Sequence, residues 1–340
     1  MNKKKMIPLL ALAAVVVVLA AALLLLQNTG DSGKAAAGVP LCDFDGAAVT
    51  TLRYWDASGE EPEEVSLTRT DGTWTLDSDP ELPIDQSKAE AIAENLAGLT
   101  AVRELGEDAD VDSMGFEEPT YEFELTAGED SWNLTVGGKN AMTNTWYVRK
   151  SEEGPVYTVS LSDLSGLCKT TRQLYAAQEI TDLTVEDVTV MTVKVGKDTL
   201  RFEQQDGTWV LTDDPGYTLD QSAVKKMAST ICDLTTRWTV TRPGEDTDYG
   251  LDAPNAIVTL VGPTDSVQCF FGNVDPGDDS LCYLRVSGQQ DVVYEVDVET
   301  LSAFACDKDS LKGATRETAE DSDVIAEAPV GGADDFADAQ

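Results

Sequence analysis

The chain of 340 residues contains no histidine. This absence excludes a Ser-His-Asp triad, a Cys-His pair, an HExxH zinc site and a histidine general base. Basic residues are scarce, because 24 Lys and Arg stand against 62 Asp and Glu, and the formal net charge is −38. A polyanion of this strength is repelled by phosphates, so we expect no nucleic-acid partner. Hydrophobic residues make up 42% of the chain, which is enough for a folded body.

The sequence also lacks any C-x-x-C spacing, so its cysteines indicate neither a zinc site nor a thioredoxin-like site. Two interpretations are open for them: three disulfides formed outside the cell, or free thiols buried as small hydrophobic side chains. We favour buried thiols, because Cys232 lies near a helix stripe and Cys269 and Cys282 fall within predicted strands. Cys269 and Cys282 are candidates for cross-strand neighbours. The six cysteines are Cys42, Cys168, Cys232, Cys269, Cys282 and Cys306.

One long apolar run is present near the amino terminus. Residues 9–26 are almost wholly Leu, Ala and Val, and three lysines precede them. As a helix the run measures about 27 Å, close to the roughly 30 Å of a bilayer core. No small-residue cleavage site follows directly, so we favour an uncleaved single-pass anchor at 6–26 over a cleaved signal peptide. The positive-inside rule then predicts a cell-membrane protein with residues 1–5 cytoplasmic and the body extracytoplasmic, behind a flexible stalk at 27–43.

An internal repeat predicts the domain organisation. The D-G-T-W sequence at 71–74 recurs at 206–209, and the D-Q-S sequence at 85–87 recurs at 220–222 with the same offset of 135. A period this long indicates a duplicated domain. We predict repeat domain 1 at 44–167, a connector at 168–182 and repeat domain 2 at 183–310. The acidic tail at 311–340 is expected to be disordered.

Each copy shows the same order of local signals. A strand is followed by a hairpin whose turn is Asp-Gly, and then by a helix with an aspartate at its N-cap, Asp85 or Asp220. Alternating apolar residues then predict a meander of antiparallel strands. The expected fold class is α+β: two tandem homologous domains, each a mainly antiparallel sheet with one packed amphipathic helix. The five apolar helix positions are Ala89, Ile92, Ala93, Leu96 and Leu99 in copy one, and Val224, Met227, Ala228, Ile231 and Leu234 in copy two.

These motifs, together with the Y-G-L-D-A-P sequence at 249–254 and the Y-x-R strands, resemble the bacterial domain-of-unknown-function family DUF4340 over roughly residues 44–310. In copy one the corresponding loop reads M-G-F-E-E-P, a mild departure that leaves the turn chemistry intact. The resemblance implies two tandem copies behind a membrane anchor. It also implies a partnership with an ABC-type exporter or another cell-envelope system, and it supplies no catalytic residues.

Two arginines are the candidate ligand or partner residues. Arg149 and Arg285 occupy equivalent strand positions, and a base kept in both copies of so acidic a chain is unusual. The competing interpretation is that each covers apolar surface and pairs with nearby acids. Trp74 and Trp209 are either stacking platforms or core residues, and we favour the core because each shares a strand face with a leucine.

Acidic clusters at 108–112 and 275–279 suggest calcium loops, but a solvated loop and a turn explain them better. We therefore expect no catalytic residue, metal or cofactor. The predicted function is that of a binding or scaffold protein outside the membrane, accessory to an exporter or envelope system. The alternative is a carboxylate-dependent extracellular hydrolase of glycosidase type, since two acids need no histidine.

Overall fold

The computed structural model describes residues 38–59, 61–106 and 109–313. Within these ranges no helix is both long and apolar enough to cross a membrane. The predicted anchor at 6–26 and most of the stalk lie outside the described residues, as does the tail from residue 314. Residues 311–313, predicted to belong to that tail, are packed: Leu311 is buried and Lys312 forms a β-bridge with Leu219.

The amino-terminal half of the described chain contains ten strands. Eight of them form one antiparallel sheet in the order β4-β3-β2-β7-β8-β9-β10-β6, and β1 and β5 form a separate pair. The strands are β1 Val39–Pro40, β2 Thr51–Asp56, β3 Glu63–Thr70, β4 Thr73–Leu76, β5 Thr100–Ala101, β6 Arg103–Glu104, β7 Tyr121–Ala127, β8 Asp130–Asn140, β9 Thr145–Arg149 and β10 Val156–Ser160.

The second half repeats this topology. Its eight strands form a sheet in the order β13-β12-β11-β15-β16-β17-β18-β14, which matches the first sheet strand for strand. The prediction of two tandem β-rich copies with one strand order is confirmed. The strands are β11 Val190–Val195, β12 Asp198–Gln205, β13 Thr208–Leu211, β14 Trp238–Val240, β15 Ala256–Val261, β16 Ser266–Asp275, β17 Asp278–Val286 and β18 Val293–Asp297.

Two helices of twelve residues occupy equivalent places, α1 Gln86–Ala97 and α2 Gln221–Cys232. The remaining helices described have five residues or fewer. They are the α-helical turns Leu161–Leu164, Thr171–Leu174, Asp246–Tyr249 and Val298–Ser302, and the 3-10 turns Gly46–Ala48, Val111–Met114 and Asp309–Leu311.

The described chain divides into two compact units whose boundaries differ from those of the repeats. Unit 1 comprises 38–179, 235–245 and 289–296, and unit 2 comprises 180–234, 246–288 and 297–313. Unit 1 therefore contains the predicted connector up to residue 179. The connector is folded there, since its one-turn helix Thr171–Leu174 carries a capping box and buries Leu174.

The local predictions for hairpin and helix are confirmed. Asp71 and Gly72 have φ of 51° and 83°, and Asp206 and Gly207 have 53° and 78°, as a type I′ turn requires. Asp85 accepts a hydrogen bond from the amide of Lys88, and Asp220 does the same for two amides at the start of α2. All ten apolar helix positions named above are buried. Trp74 and Trp209 are 2% and 4% exposed, so both are core residues.

A glutamine joins hairpin to helix in both copies. The Gln86 side chain accepts a hydrogen bond from the amide of Trp74 at 2.7 Å and donates to the carbonyl of Trp74 at 2.9 Å. Gln221 makes the same two bonds to Trp209, at 2.8 and 2.9 Å. Because these bonds satisfy both backbone groups on the free side of a short strand, they explain why D-G-T-W and D-Q-S recur together.

Two glycines in the meander are required by close packing. A Cβ at Gly137 would lie 2.4 Å from the carbonyl oxygen of Met114, and one at Gly272 would lie 2.1 Å from that of Tyr249. These distances leave no room for a side chain, so the loop before β7 and the loop before β15 pack directly on strand backbone.

Candidate functional site

The face of the first sheet opposite its buried side chains carries a continuous row of polar and aromatic residues. In β2 the buried residues Leu52 and Tyr54 alternate with Arg53 and Trp55, as expected for a strand with one wet face. Strand register places Trp55 opposite Glu64 on β3 and opposite Glu122 on β7. The row then continues through Thr135 on β8 to Arg149 on β9.

A shallow cleft of about 330 Å³ lies on this face. Its polar and aromatic lining comes from four adjacent strands, so the register of the sheet fixes the relative positions of the side chains. These lining residues are Arg53, Trp55, Glu64, Glu122, Glu124, Asn133 and Thr135. We call this surface the β2–β7 face.

Arg53 organises the charges of the β2–β7 face. Its Nε donates to Glu64 Oε1 at 2.7 Å, and its Nη1 lies 3.7 Å from Glu124 Oε2. The hydrogen bond that Arg53 donates to Glu64 and the attraction of that carboxylate raise the pKa of Arg53 above its ordinary value. The three side chains are 52%, 43% and 41% exposed, so these pairs orient groups and add little stability.

Glu122 differs from its neighbours because it makes no ion pair or hydrogen bond through its carboxylate within the described part of the chain. It lies directly opposite Trp55, which is 36% exposed. An exposed indole beside an unpaired carboxylate is a surface at which a cationic or hydrogen-bonding group of a partner would find both a ring face and a charge.

The predicted candidate Arg149 lies at the end of this row but outside the cleft lining. Its guanidinium carbon is 4.5 Å from the centre of the Phe116 ring, and its Nη1 donates to the carbonyl of Glu152 at 3.2 Å. Arg285, its counterpart, forms an ion pair with Asp246 and is only 14% exposed. Each arginine thus holds a loop of its own copy against the sheet, and a ligand role for either stays a prediction.

The Arg285 side chain has one further feature. Its Nε is buried and has no hydrogen-bond partner among the residues that the structure describes. Strand register places Arg285 opposite Phe270, whereas Arg149 lies opposite Thr135. In the second sheet the arginine therefore has an aromatic cross-strand neighbour where the first sheet has a threonine.

The rest of the equivalent face in the second sheet also differs. Lys194 replaces Trp55 at the equivalent position, and Ile257 replaces Glu122, with register placing these two residues opposite each other. The two copies therefore share a backbone but do not share the chemistry of the β2–β7 face. If this face binds a partner, the binding belongs to repeat 1 alone.

The cysteines are all free in the structure, and Cys42, Cys269 and Cys282 are buried. The prediction that Cys269 and Cys282 face each other across strands is wrong, because register places Cys269 opposite Val286 and Cys282 opposite Val274. Desolvation raises the pKa of the Cys269 and Cys282 thiols to about 12 and that of Cys232 to about 11. Thiols held in this state are poor nucleophiles.

The acidic cluster at 275–279 forms a turn. Asp275 accepts hydrogen bonds from the Gly277 amide and the Tyr283 hydroxyl, both at 2.9 Å, and Asp278 caps Ser280. Asp108 lies outside the described residues. Within those described, no group of three or more acidic or cysteine side chains is arranged to hold a metal ion.

The comparisons with known proteins agree with the duplicated fold. A family model for the domain of unknown function DUF4340 matches residues 74–208 and again 209–315. Both matched segments begin at the tryptophan of D-G-T-W. No curated protein and no solved structure matches the chain. Since the two consecutive matches cover more than half of its length, the chain belongs to the DUF4340 family.

Proposed function

We propose that this chain is a membrane-anchored, extracytoplasmic binding or scaffold protein whose β2–β7 face contacts a partner in the cell envelope. The observation that carries the proposal is the row of residues from Glu64 through Trp55 and Glu122 to Thr135, held in register by four adjacent strands. A wide, shallow surface of this kind presents charge and an aromatic ring to a macromolecule.

The proposed membrane anchor, and the orientation of the protein across the membrane, rest on the sequence of residues 3–26, where three lysines precede the apolar run. An accessory role for an ABC-type exporter is our choice of partner class, and it rests on the family resemblance. A protein tethered in this way would reach its partner from the outer surface of the membrane.

The alternative of a glycosidase-like hydrolase has less support on this face. A glycosidase acid must be withdrawn from water so that it remains protonated until it acts. Glu64 and Glu124 are instead more than 40% exposed, and both lie beside the Arg53 guanidinium. The arrangement suits recognition better than proton transfer.

Membrane topology is the first testable consequence. Protease added to intact protoplasts should degrade the body of the protein, because the positive-inside rule places everything after the anchor outside. Immunoblotting of the body provides the measurement, and a cytoplasmic protein in the same sample serves as the control. A body that survives until the membrane is permeabilised would overturn the orientation.

Partner contact at the β2–β7 face is the second consequence. A photoreactive p-benzoylphenylalanine placed at Trp55 should form a discrete crosslink to an envelope protein when native membranes are irradiated. The matched control places the same group at Lys194, the equivalent position of repeat 2, where no such adduct is expected. Substituting Glu122→Lys should remove the adduct, since it reverses the unpaired charge beside the indole.

Identical adducts from both positions, or none from Trp55, would contradict the proposal. The fold of each variant can be checked by its circular dichroism spectrum. A surface substitution on a wet strand face should change stability by no more than about 0.5 kcal/mol.

A further inference from the structure

The two repeats also differ in the side chains that lie beside the tryptophan of the D-G-T-W turn. In repeat 1 the Glu90 carboxylate accepts a hydrogen bond from Trp74 Nε1 at 2.9 Å. The same carboxylate lies 3.3 Å from Arg69 Nη1, and the guanidinium of Arg69 lies over the indole, 5.7 Å from the ring centre. Trp74 therefore has its only side-chain donor satisfied by an internal carboxylate.

Repeat 2 keeps the tryptophan and loses the acid. At the offset of 135 residues, Lys225 stands where Glu90 stands and Gln204 stands where Arg69 stands. Trp209 is 4% exposed, yet its Nε1 has no hydrogen-bond partner in the part of the chain that the structure describes. The only fully buried side-chain nitrogen or oxygen without a partner among the described residues is Arg285 Nε, so Trp209 Nε1 still reaches solvent. This N–H is therefore a free donor that an acceptor from outside the chain can use.

A cleft of about 280 Å³ lies beside this tryptophan within unit 2. Trp209, Lys225, Gln204 and Glu186 contribute polar groups to its lining. Strand register sets Gln204 directly opposite Trp209, so both side chains lie on the same face of the sheet, and both line the cleft.

We propose that this cleft binds a carboxylate supplied from outside the chain, in the place that Glu90 fills in repeat 1. The Trp209 N–H would donate to the carboxylate, and the Lys225 ammonium would neutralise it. The carboxylate comes either from a small organic acid or from an acidic side chain of a peptide. This site shares no lining residue with the β2–β7 face, so the experiments on the two sites test separate proposals.

One charge in the cleft competes with the ligand. Lys225 Nζ lies 3.2 Å from Glu186 Oε1, and the two side chains are 59% and 70% exposed. Exposed pairs of this kind are weak, so an incoming carboxylate can displace Glu186 from the ammonium. Removing the charge of Glu186 should therefore strengthen binding.

The indole N–H resonances test the proposal directly. The full-length chain, labelled with ¹⁵N at its six tryptophans, is titrated at constant ionic strength with acetate or with a blocked Gly-Glu-Gly peptide. Trp209→Phe assigns the relevant resonance. We expect that resonance to move saturably with at least one of the two, and the tighter binder identifies the source. The Trp74 resonance is the internal control and should not move, because Glu90 already occupies its donor.

Two substitutions complete the test. Lys225→Glu places a carboxylate where Glu90 stands in repeat 1 and should abolish the response of Trp209, while the other tryptophan resonances report that the fold is intact. Glu186→Gln should lower the apparent Kd several-fold. The proposal is overturned if neither carboxylate moves the Trp209 resonance, if chloride moves it equally, or if Lys225→Glu leaves the response unchanged.

Discussion

Substituting Trp74→Ala should lower the free energy of unfolding by about 3–5 kcal/mol, the range found for removing a buried tryptophan. The side chain is 2% exposed and lies in the core beneath α1. Its loss also removes the hydrogen bond to the Glu90 carboxylate, which would keep only the Arg69 contact at 3.3 Å. Urea denaturation followed by far-ultraviolet circular dichroism measures the change.

A matched pair of conservative substitutions separates the hydrogen bond from the packing. Trp74→Phe and Trp209→Phe remove similar ring volume from equivalent positions, but only Trp74 donates to a carboxylate, at 2.9 Å. The first substitution should therefore cost about 1.5–3 kcal/mol more than the second, the usual contribution of a hydrogen bond to a charged group. Equal costs would show that the Glu90 bond adds nothing to stability.

Much of each repeat could be predicted from the sequence because its signals are local. An Asp-Gly pair accepts the positive φ of a type I′ turn, and Asp71 and Asp206 adopt it. The helix stripes and their N-caps likewise depend only on spacing along the chain. Two copies with the same pattern at one offset strengthened every such prediction, because a signal that survives divergence reflects a shared backbone.

Short elements escaped prediction for a physical reason. Strands β6 and β14 have two and three residues, too few for any periodicity, and each exists because it pairs with a distant strand, β10 or β18. The connector helix Thr171–Leu174 spans a single turn. Gln86 was missed as well, since its bonds to Trp74 join elements that only the tertiary fold brings together. Its identity with Gln221 in the second copy was the available signal.

Only part of the β2–β7 face could be predicted from the sequence. The alternation in Thr51–Asp56 indicates that Arg53 and Trp55 share the wet face, but their neighbours depend on strand order and register. The pairing of residues across two strands cannot be obtained by counting back from their hairpin turn when a β-bulge lies between. The pairing of β8 with β9 shifts between Val136 and Lys139, and that of β16 with β17 shifts after Phe271. Cys269 and Cys282 are not opposite each other even in the register of the hairpin pair Asp275–Asp278, and the shifts move the partner of Cys269 further along, to Val286.

Substituting Arg172→Ala should destabilise unit 1 by about 3 kcal/mol. Arg172 Nη1 donates to Glu295 Oε2 at 2.7 Å, and the Glu295 side chain is only 7% exposed. Breaking a buried ion pair from one side costs about 3–5 kcal/mol, because it leaves a charge without compensation. The lower end applies here, since the Arg172 side chain is itself 53% exposed.

The same arginine packs on an aromatic ring, which adds to the expected loss. Its guanidinium carbon lies 4.9 Å from the centre of the Trp238 ring, and that ring packs against Tyr175 with their centres 5.3 Å apart. The Tyr175 hydroxyl in turn bonds Thr236 and Thr239, at 2.6 and 2.7 Å, in the buried interior. Arg172 thus covers one side of a packed polar cluster within unit 1.

A double-mutant cycle separates the cost of leaving the Glu295 charge unpaired from the cost of losing the packing of Arg172 on Trp238. Glu295→Gln removes the buried charge while it keeps the shape of the side chain, so Arg172→Ala should cost clearly less in that background than in the natural chain. A coupling energy of about 1–3 kcal/mol is expected from urea denaturation of the four proteins. If Arg172→Ala costs the same in both backgrounds, the arginine acts through Trp238 alone and the ion pair with Glu295 contributes nothing to the stability of unit 1.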